Sequence, residues 1–152
     1  MEDRLLRQWN DWFPASAVDL SPSDLALYSG EDQTRPIYLG IDGEVFDVTS
    51  SKRMYGPGGA YHCFAGRDAA RAFVTGCFET HLTHDLRGLS PTDLEGLAAW
   101  KTFFRTHQKY RRVGRVKNPT IHADIPIPKP CKPVVPVDVA DTQKPLPVIQ
   151  TQ

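Results

Sequence analysis

The chain has 152 residues, enough for one domain around one core and too few for two. Hydrophobic residues make up 40% and charged residues 24%, which supports a packed core and excludes a highly charged disordered chain. Eighteen basic residues cancel eighteen acidic ones, so net charge offers no bulk attraction to nucleic acid.

Leu5, Leu6, Trp9 and Phe13 recur at helical spacing in a charged context, so residues 1–17 read as an N-terminal amphipathic segment and not as a signal peptide. Packing on the domain is the expectation for it, with a membrane surface as the alternative. No run approaches the roughly 20 apolar residues of a membrane helix. Ser21-Pro22-Ser23-Asp24 starts a helix: Ser21 can cap, Pro22 suits the first turn, and Asp24 completes the box. Gly30 ends that helix early. Ile37 to Ile41 and Val45 to Val48 then form two short apolar strands around Asp42-Gly43, the pair that supplies a tight hairpin turn. Tyr55-Gly56-Pro57-Gly58-Gly59-Ala60-Tyr61 holds too many breakers for helix or strand and predicts a shaped loop. Arg67 to Thr75 predicts a helix closed by Gly76. Ser90-Pro91-Thr92-Asp93 opens the longest helix, with Leu94, Leu97, Trp100 or Lys101, and Phe104 on one face and an end near Gln108 or Lys109. Val113 to Val116 returns as a late strand. This order predicts an α+β domain over residues 18–117, a small sheet with several short helices packed on one side.

All fifteen aromatic residues lie at or before Tyr110, whereas eight of the thirteen prolines lie from Pro119 onward, so no large side chain is left to anchor the end of the chain. Residues 118–152 therefore read as an extended, disordered proline-rich tail, a spacer in preference to a polyproline ligand. Cys63, Cys77 and Cys131 are an odd count without metal spacing, which predicts neither a disulfide framework nor a zinc site and suggests a reducing compartment.

Three linked stretches carry a resemblance: Val45-Phe46-Asp47-Val48-Thr49, the Tyr55 to Tyr61 loop, and Phe64-Ala65-Gly66-Arg67-Asp68-Ala69-Ala70-Arg71. From about Leu20 to Val116 the chain resembles the cytochrome b5-like heme/steroid-binding domain, and within it the membrane-associated progesterone receptor family that includes neuferricin. Cytochrome b5 proper places an axial histidine before Pro-Gly-Gly, but Gly56 stands there. His62, His81 and His84 miss the signature position and are expected at the surface, so two-histidine iron ligation and its electron transfer are disfavoured.

The resemblance instead implies that Tyr61 ligates ferric heme, with Tyr55, Lys109 and Tyr110 supporting the phenolate or the propionates. A phenolate is a hard anionic donor that suits ferric iron. Gly56, Gly58 and Gly59 are expected to shape the loop, Asp68 and Arg67 to be structural, and Cys63 to be inert. The resemblance further implies a regulatory or chaperoning role toward heme enzymes such as cytochromes P450 in sterol metabolism, without catalysis by the domain itself. It also implies a cytoplasmic location peripheral to endomembranes such as the endoplasmic reticulum, and a homodimer through an open heme face. The alternative is a steroid- or lipid-binding or protein-interaction module without heme. Charge is segregated along the chain: Asp11 to Asp47 holds eight acids and one base, and Lys101 to Lys117 seven bases and no acid, which predicts a basic end suited to propionates, an acidic partner or a membrane surface.

Overall fold

The computed structural model describes residues 18–131; the expected amphipathic segment over residues 1–17 and the tail over residues 132–152 lie outside the described residues. Four strands form one sheet in the order β1-β4-β3-β2, with β1 at Val18–Leu20, β2 at Tyr38–Ile41, β3 at Glu44–Asp47 and β4 at Arg111–Val116. β2 and β3 pair as the expected antiparallel hairpin, and Asp42 (φ 51°) and Gly43 (φ 86°) supply the two positive φ angles of its turn. β4 runs antiparallel to β3, with a bulge between Val45 and Phe46, and parallel to β1, so the two ends of the domain meet in one sheet.

Among the described residues four α-helices accompany the sheet: α1 at Pro22–Ala26, α2 at Lys52–Tyr55, α3 at Ala70–Thr75 and α4 at Pro91–Thr106. Both capping boxes form as the sequence predicts, Ser21 with Asp24 on α1 and Ser90 with Asp93 on α4. α4 turns Leu97, Trp100 and Phe104 into the core but leaves Leu94 exposed. It ends at Thr106, short of Gln108. His107 is extended, its Nδ1 accepts the Lys109 amide at 3.1 Å, and this turn swings Tyr110 into the core.

α3 starts three residues later than the sequence predicts, because the preceding residues are committed elsewhere. The Arg67 carbonyl accepts the Gly40 amide at 2.9 Å, and Gly40 bridges Asp68. Asp68 is buried and its carboxylate accepts four donors: the amides of Asp42 (3.1 Å), Gly43 (2.7 Å) and Ala70 (3.1 Å), and Asn118 Nδ2 (2.8 Å). One side chain thus ties the hairpin turn, the start of α3 and the segment after β4. Asp68→Ala is expected to lower stability by about 2–4 kcal/mol, since several donors lose their acceptor together. Urea denaturation checks this; a loss below about 1 kcal/mol would show that the donors find other partners.

Val45 and Phe46 are adjacent in β3 and enter different clusters. Phe46 joins the main core with Ile37, Leu39, Phe64, Phe73, Trp100 and Phe104, whereas Val45 packs with Leu20, Leu25 and Val116. Helices therefore do not lie on one side alone, because α1 contributes Leu25 to this second cluster.

The charge segregation has a structural origin. Acids of β1 and the hairpin pair with bases of α4 and β4: Glu44 meets Arg105, Arg112 at 3.1 Å and Lys101 at 3.6 Å, Asp42 meets Lys101 at 3.0 Å, and Asp19 meets Lys117 at 3.6 Å and Arg115 at 3.9 Å. Much of the expected basic end meets acids within the fold, while Lys109, Arg111, Arg115 and Lys117 are exposed.

The proline-rich stretch departs from a free spacer as far as residue 131. Pro119, Pro126, Pro128 and Pro130 lack N–H groups, and the domain meets carbonyls of this segment with side-chain donors. His84 Nε2 donates to the Pro119 carbonyl at 3.0 Å and Arg87 to the carbonyls of Ile125 (3.0 Å) and Pro126 (3.4 Å). His81 Nε2 donates to Lys129 O at 2.8 Å. Backbone carbonyls supply the anchorage that large side chains could not.

Candidate functional site

Tyr55 closes α2 and Tyr61 stands beyond the glycine loop. The two are brought together because the loop folds back on its own helix: the Tyr61 amide donates to the Met54 carbonyl at 3.0 Å and the Gly59 amide to the Gly56 carbonyl at 2.9 Å. A Cβ at Gly59 would stand 2.2 Å from the Met54 carbonyl oxygen, so only glycine permits this approach. His62 braces the same turn, donating from Nδ1 to the Tyr55 carbonyl at 2.8 Å while its Nε2 faces Glu31 at 3.2 Å.

Three phenols converge. Tyr55 is 1% exposed and Tyr110 4%, and both belong to the main core, with Tyr61 packed against it and partly open to solvent. Burial drives the Tyr55 pKa far above the ordinary phenol range, and Tyr110 and Tyr61 nearby raise it further. Burial also raises Tyr110, opposed by a 2.7 Å hydrogen bond between its hydroxyl and that of Ser51. Tyr61 is raised by burial first and by Cys63 second. All three phenols are therefore neutral near pH 7, and ionising one of them calls for a Lewis acid.

The surroundings are aromatic. Tyr61 stacks with Phe64 at 6.2 Å and meets Phe78 edge-on at 5.8 Å, while Tyr110 stacks on His107 at 3.9 Å and Phe104 at 5.6 Å. Lys109 is exposed beside Tyr110, and its charge, after burial, helps to lower the His107 pKa. Its carbonyl accepts the Ser50 hydroxyl at 3.5 Å, which draws the end of α4 toward the approach to α2. A partly exposed phenol at the edge of an aromatic core, with an exposed lysine beside Tyr110, fits a planar heme with anionic propionates.

The three histidines nearest the glycine loop in sequence are committed to other partners. His62 is engaged at both nitrogens, and so is His81, which is buried at 1% exposure and not at the surface as expected. His84 is held by Pro119. Two clefts, of about 600 and 220 Å³, lie elsewhere, between His84 and the Asn118-Pro119 turn, and neither is lined by a tyrosine.

Residues 21–117 match the Cytochrome b5-like Heme/Steroid binding domain. The chain belongs to this family. The domain is 50% identical over 109 residues to membrane-associated progesterone-binding protein 4 of Arabidopsis thaliana, covering 67% of this chain and 44% of that protein. It is 42% identical over 99 residues to the neuferricin homolog of Drosophila melanogaster, covering 63% of this chain and 34% of that one. The chain thus spans less than half the length of these curated relatives. A solved structure of a hypothetical protein from Arabidopsis thaliana, described as having a cytochrome b5 like fold, matches with a TM-score of 0.61 and 38% identity over 68% of this chain and 94% of that one. The cytochrome b5-like fold and the membrane-associated progesterone receptor and neuferricin branch expected from sequence are both established by these matches. Among the described residues no helix is long and apolar enough to cross a membrane.

Within this heme/steroid-binding domain, several contributors to the site were not legible in the sequence. Ser51, His107 and Phe78 reach it only through tertiary contacts. Cys77 and Cys131, expected to be unpaired, are joined, with Cα atoms 6.4 Å apart. Their separation of 54 residues carries no spacing signal; only the return path of the chain brings them together.

Proposed function

We propose that the domain binds ferric heme through the Tyr61 phenolate, with Tyr55, Tyr110 and Lys109 as supporting groups. The observation that carries this reading is that Tyr61, packed on the aromatic core cluster that holds Tyr55 and Tyr110, is the one of the three phenols open to solvent. Ferric iron, when bound, supplies the Lewis acidity that ionises a phenol. Tyr61 offers the oxygen, Tyr55 and Tyr110 offer hydroxyl donors behind it, and Lys109 offers a positive charge for a propionate. The glycine loop fixes where Tyr61 stands, and the Phe64 and Phe78 rings exclude water beside it. A regulatory or chaperoning role toward heme enzymes such as cytochromes P450, peripheral endomembrane association, and pairing of two copies through the open heme face extend the same reading. The names of the relatives also favour a second one: a steroid- or lipid-binding or protein-interaction module that uses the aromatic face without heme.

Hemin titration of the full chain separates the two. Uptake of one equivalent with a shifted Soret band is expected; no uptake, together with a rise in Tm on adding progesterone, would favour the steroid reading. Proton release gives a further expectation. Because burial holds the unligated Tyr61 phenol neutral, its ligation frees a proton, and hemin affinity should fall as pH falls, by up to about tenfold per pH unit between pH 8 and 6. Affinity measured at three pH values checks the slope, and a flat profile would speak against phenolate ligation.

A further inference from the structure

Cys77 lies directly after Gly76, the residue that ends α3, and its sulfur is in bonding contact with that of Cys131. The 6.4 Å between their Cα atoms lies within the range that disulfides span. The segment from Asn118 to Cys131 is guided to this point by Asp68, His84, Arg87 and His81, so the two thiols meet along a prepared path. Ile127 rests on Gly88 along the way.

His81 stands within reach of both sulfurs, which raises a metal site as the competing chemistry. Its ring is already committed. Nε2 donates to the Lys129 carbonyl, so that nitrogen carries the proton, and Nδ1 accepts the Thr75 hydroxyl at 2.8 Å. A metal would have to displace one of these bonds, whereas a disulfide uses both and leaves the histidine as the post that holds the returning strand.

We propose that Cys77 and Cys131 form a redox-controlled disulfide latch that closes the 118–131 segment over the domain. An oxidised low-molecular-weight disulfide such as oxidised glutathione is the oxidant. The Cys77 thiolate attacks one of its sulfurs and releases one glutathione; the Cys131 thiolate then attacks the Cys77 sulfur of the mixed disulfide and releases the second. Two protein thiols are oxidised to one disulfide, and one glutathione disulfide is reduced to two thiols. The latch also reaches the tyrosine face, since Phe78 follows Cys77 directly and its ring meets Tyr61 and Phe64. Reduction frees the segment whose first residues, Asn118 and Pro119, line the two clefts beside His84.

The test uses the full chain without heme, equilibrated with oxidised or reduced glutathione, alkylated, and mapped without reduction, with amide exchange followed in parallel. The expected result is a Cys77–Cys131 peptide with Cys63 alkylated. Exchange across residues 119–131 and in the peptide holding Phe78 should be at least about tenfold slower in the oxidised form. Cys131→Ser should exchange at the faster rate under both conditions, and Cys63→Ser should behave as wild type. A bridge through Cys63, no bridge at all, or equal exchange in the two forms would overturn the latch. So would one equivalent of zinc held by the reduced chain and lost in Cys131→Ser, which would make the cluster a metal site.

Discussion

Tyr61→Phe is expected to weaken hemin binding by at least about 100-fold, since changes one shell away from a metal typically cost 10–100-fold and this change removes the ligating atom itself. The fold should be untouched. Tyr61 is partly open to solvent, its packing against Phe64 and Phe78 uses the ring and not the hydroxyl, and Tm should move by no more than a few degrees. Tyr55→Phe should cost about tenfold, as expected for a supporting donor. Hemin titrations of the three proteins read out both effects. Equal affinities for wild type and Tyr61→Phe would remove tyrosine ligation from the account and leave the aromatic face as a site for an apolar ligand.

Glu44→Ala is expected to lower stability strongly. Glu44 is 6% exposed, and its carboxylate accepts Arg105 through two donors, Arg112 at 3.1 Å and Lys101 at 3.6 Å. Removing it takes a buried carboxylate away from three cations at once, of which Lys101 keeps Asp42 at 3.0 Å. Breaking a buried pair by deleting one partner costs about 3–5 kcal/mol, which for a domain of this size lowers Tm by about 12 °C or more. Glu44→Gln keeps the shape and loses the charge, and should fall most of the way toward the alanine variant. Thermal unfolding of both checks this. A shift under about 3 °C would mean that the neighbouring cations reach water easily and that the cluster adds little.

Local signals in the sequence translated well where the chain's own chemistry sets the structure. The two capping boxes and the Asp42-Gly43 turn need only residues within a few positions of one another, and all three appear as expected. Boundaries failed where a distant partner intervened. α3 begins late because Gly40 and the hairpin turn claim Arg67 and Asp68, and α4 stops early because the turn at His107 delivers Tyr110 to the core. The charge segregation was visible, but its meaning was not: without the register of β3 on β4, nothing showed that Glu44 would sit among Lys101, Arg105 and Arg112. The tyrosines were legible through family resemblance, and the geometry places Tyr55, Tyr61 and Tyr110 in one cluster while leaving Lys109 at its solvent edge. Ser51 and Phe78 carried no signal, since a hydroxyl 59 residues from Tyr110 and a phenylalanine 17 residues from Tyr61 become neighbours only in the fold.

Ligation of ferric iron by the Tyr61 phenolate is tested most directly by resonance Raman spectroscopy of the full chain with hemin, excited in its phenolate-to-iron charge-transfer band. Wild type should show enhanced phenolate ring modes, Tyr55→Phe should retain them, and Tyr61→Phe should lose them. The same modes in Tyr61→Phe, or a spectrum of two-imidazole low-spin heme in wild type, would contradict the assignment.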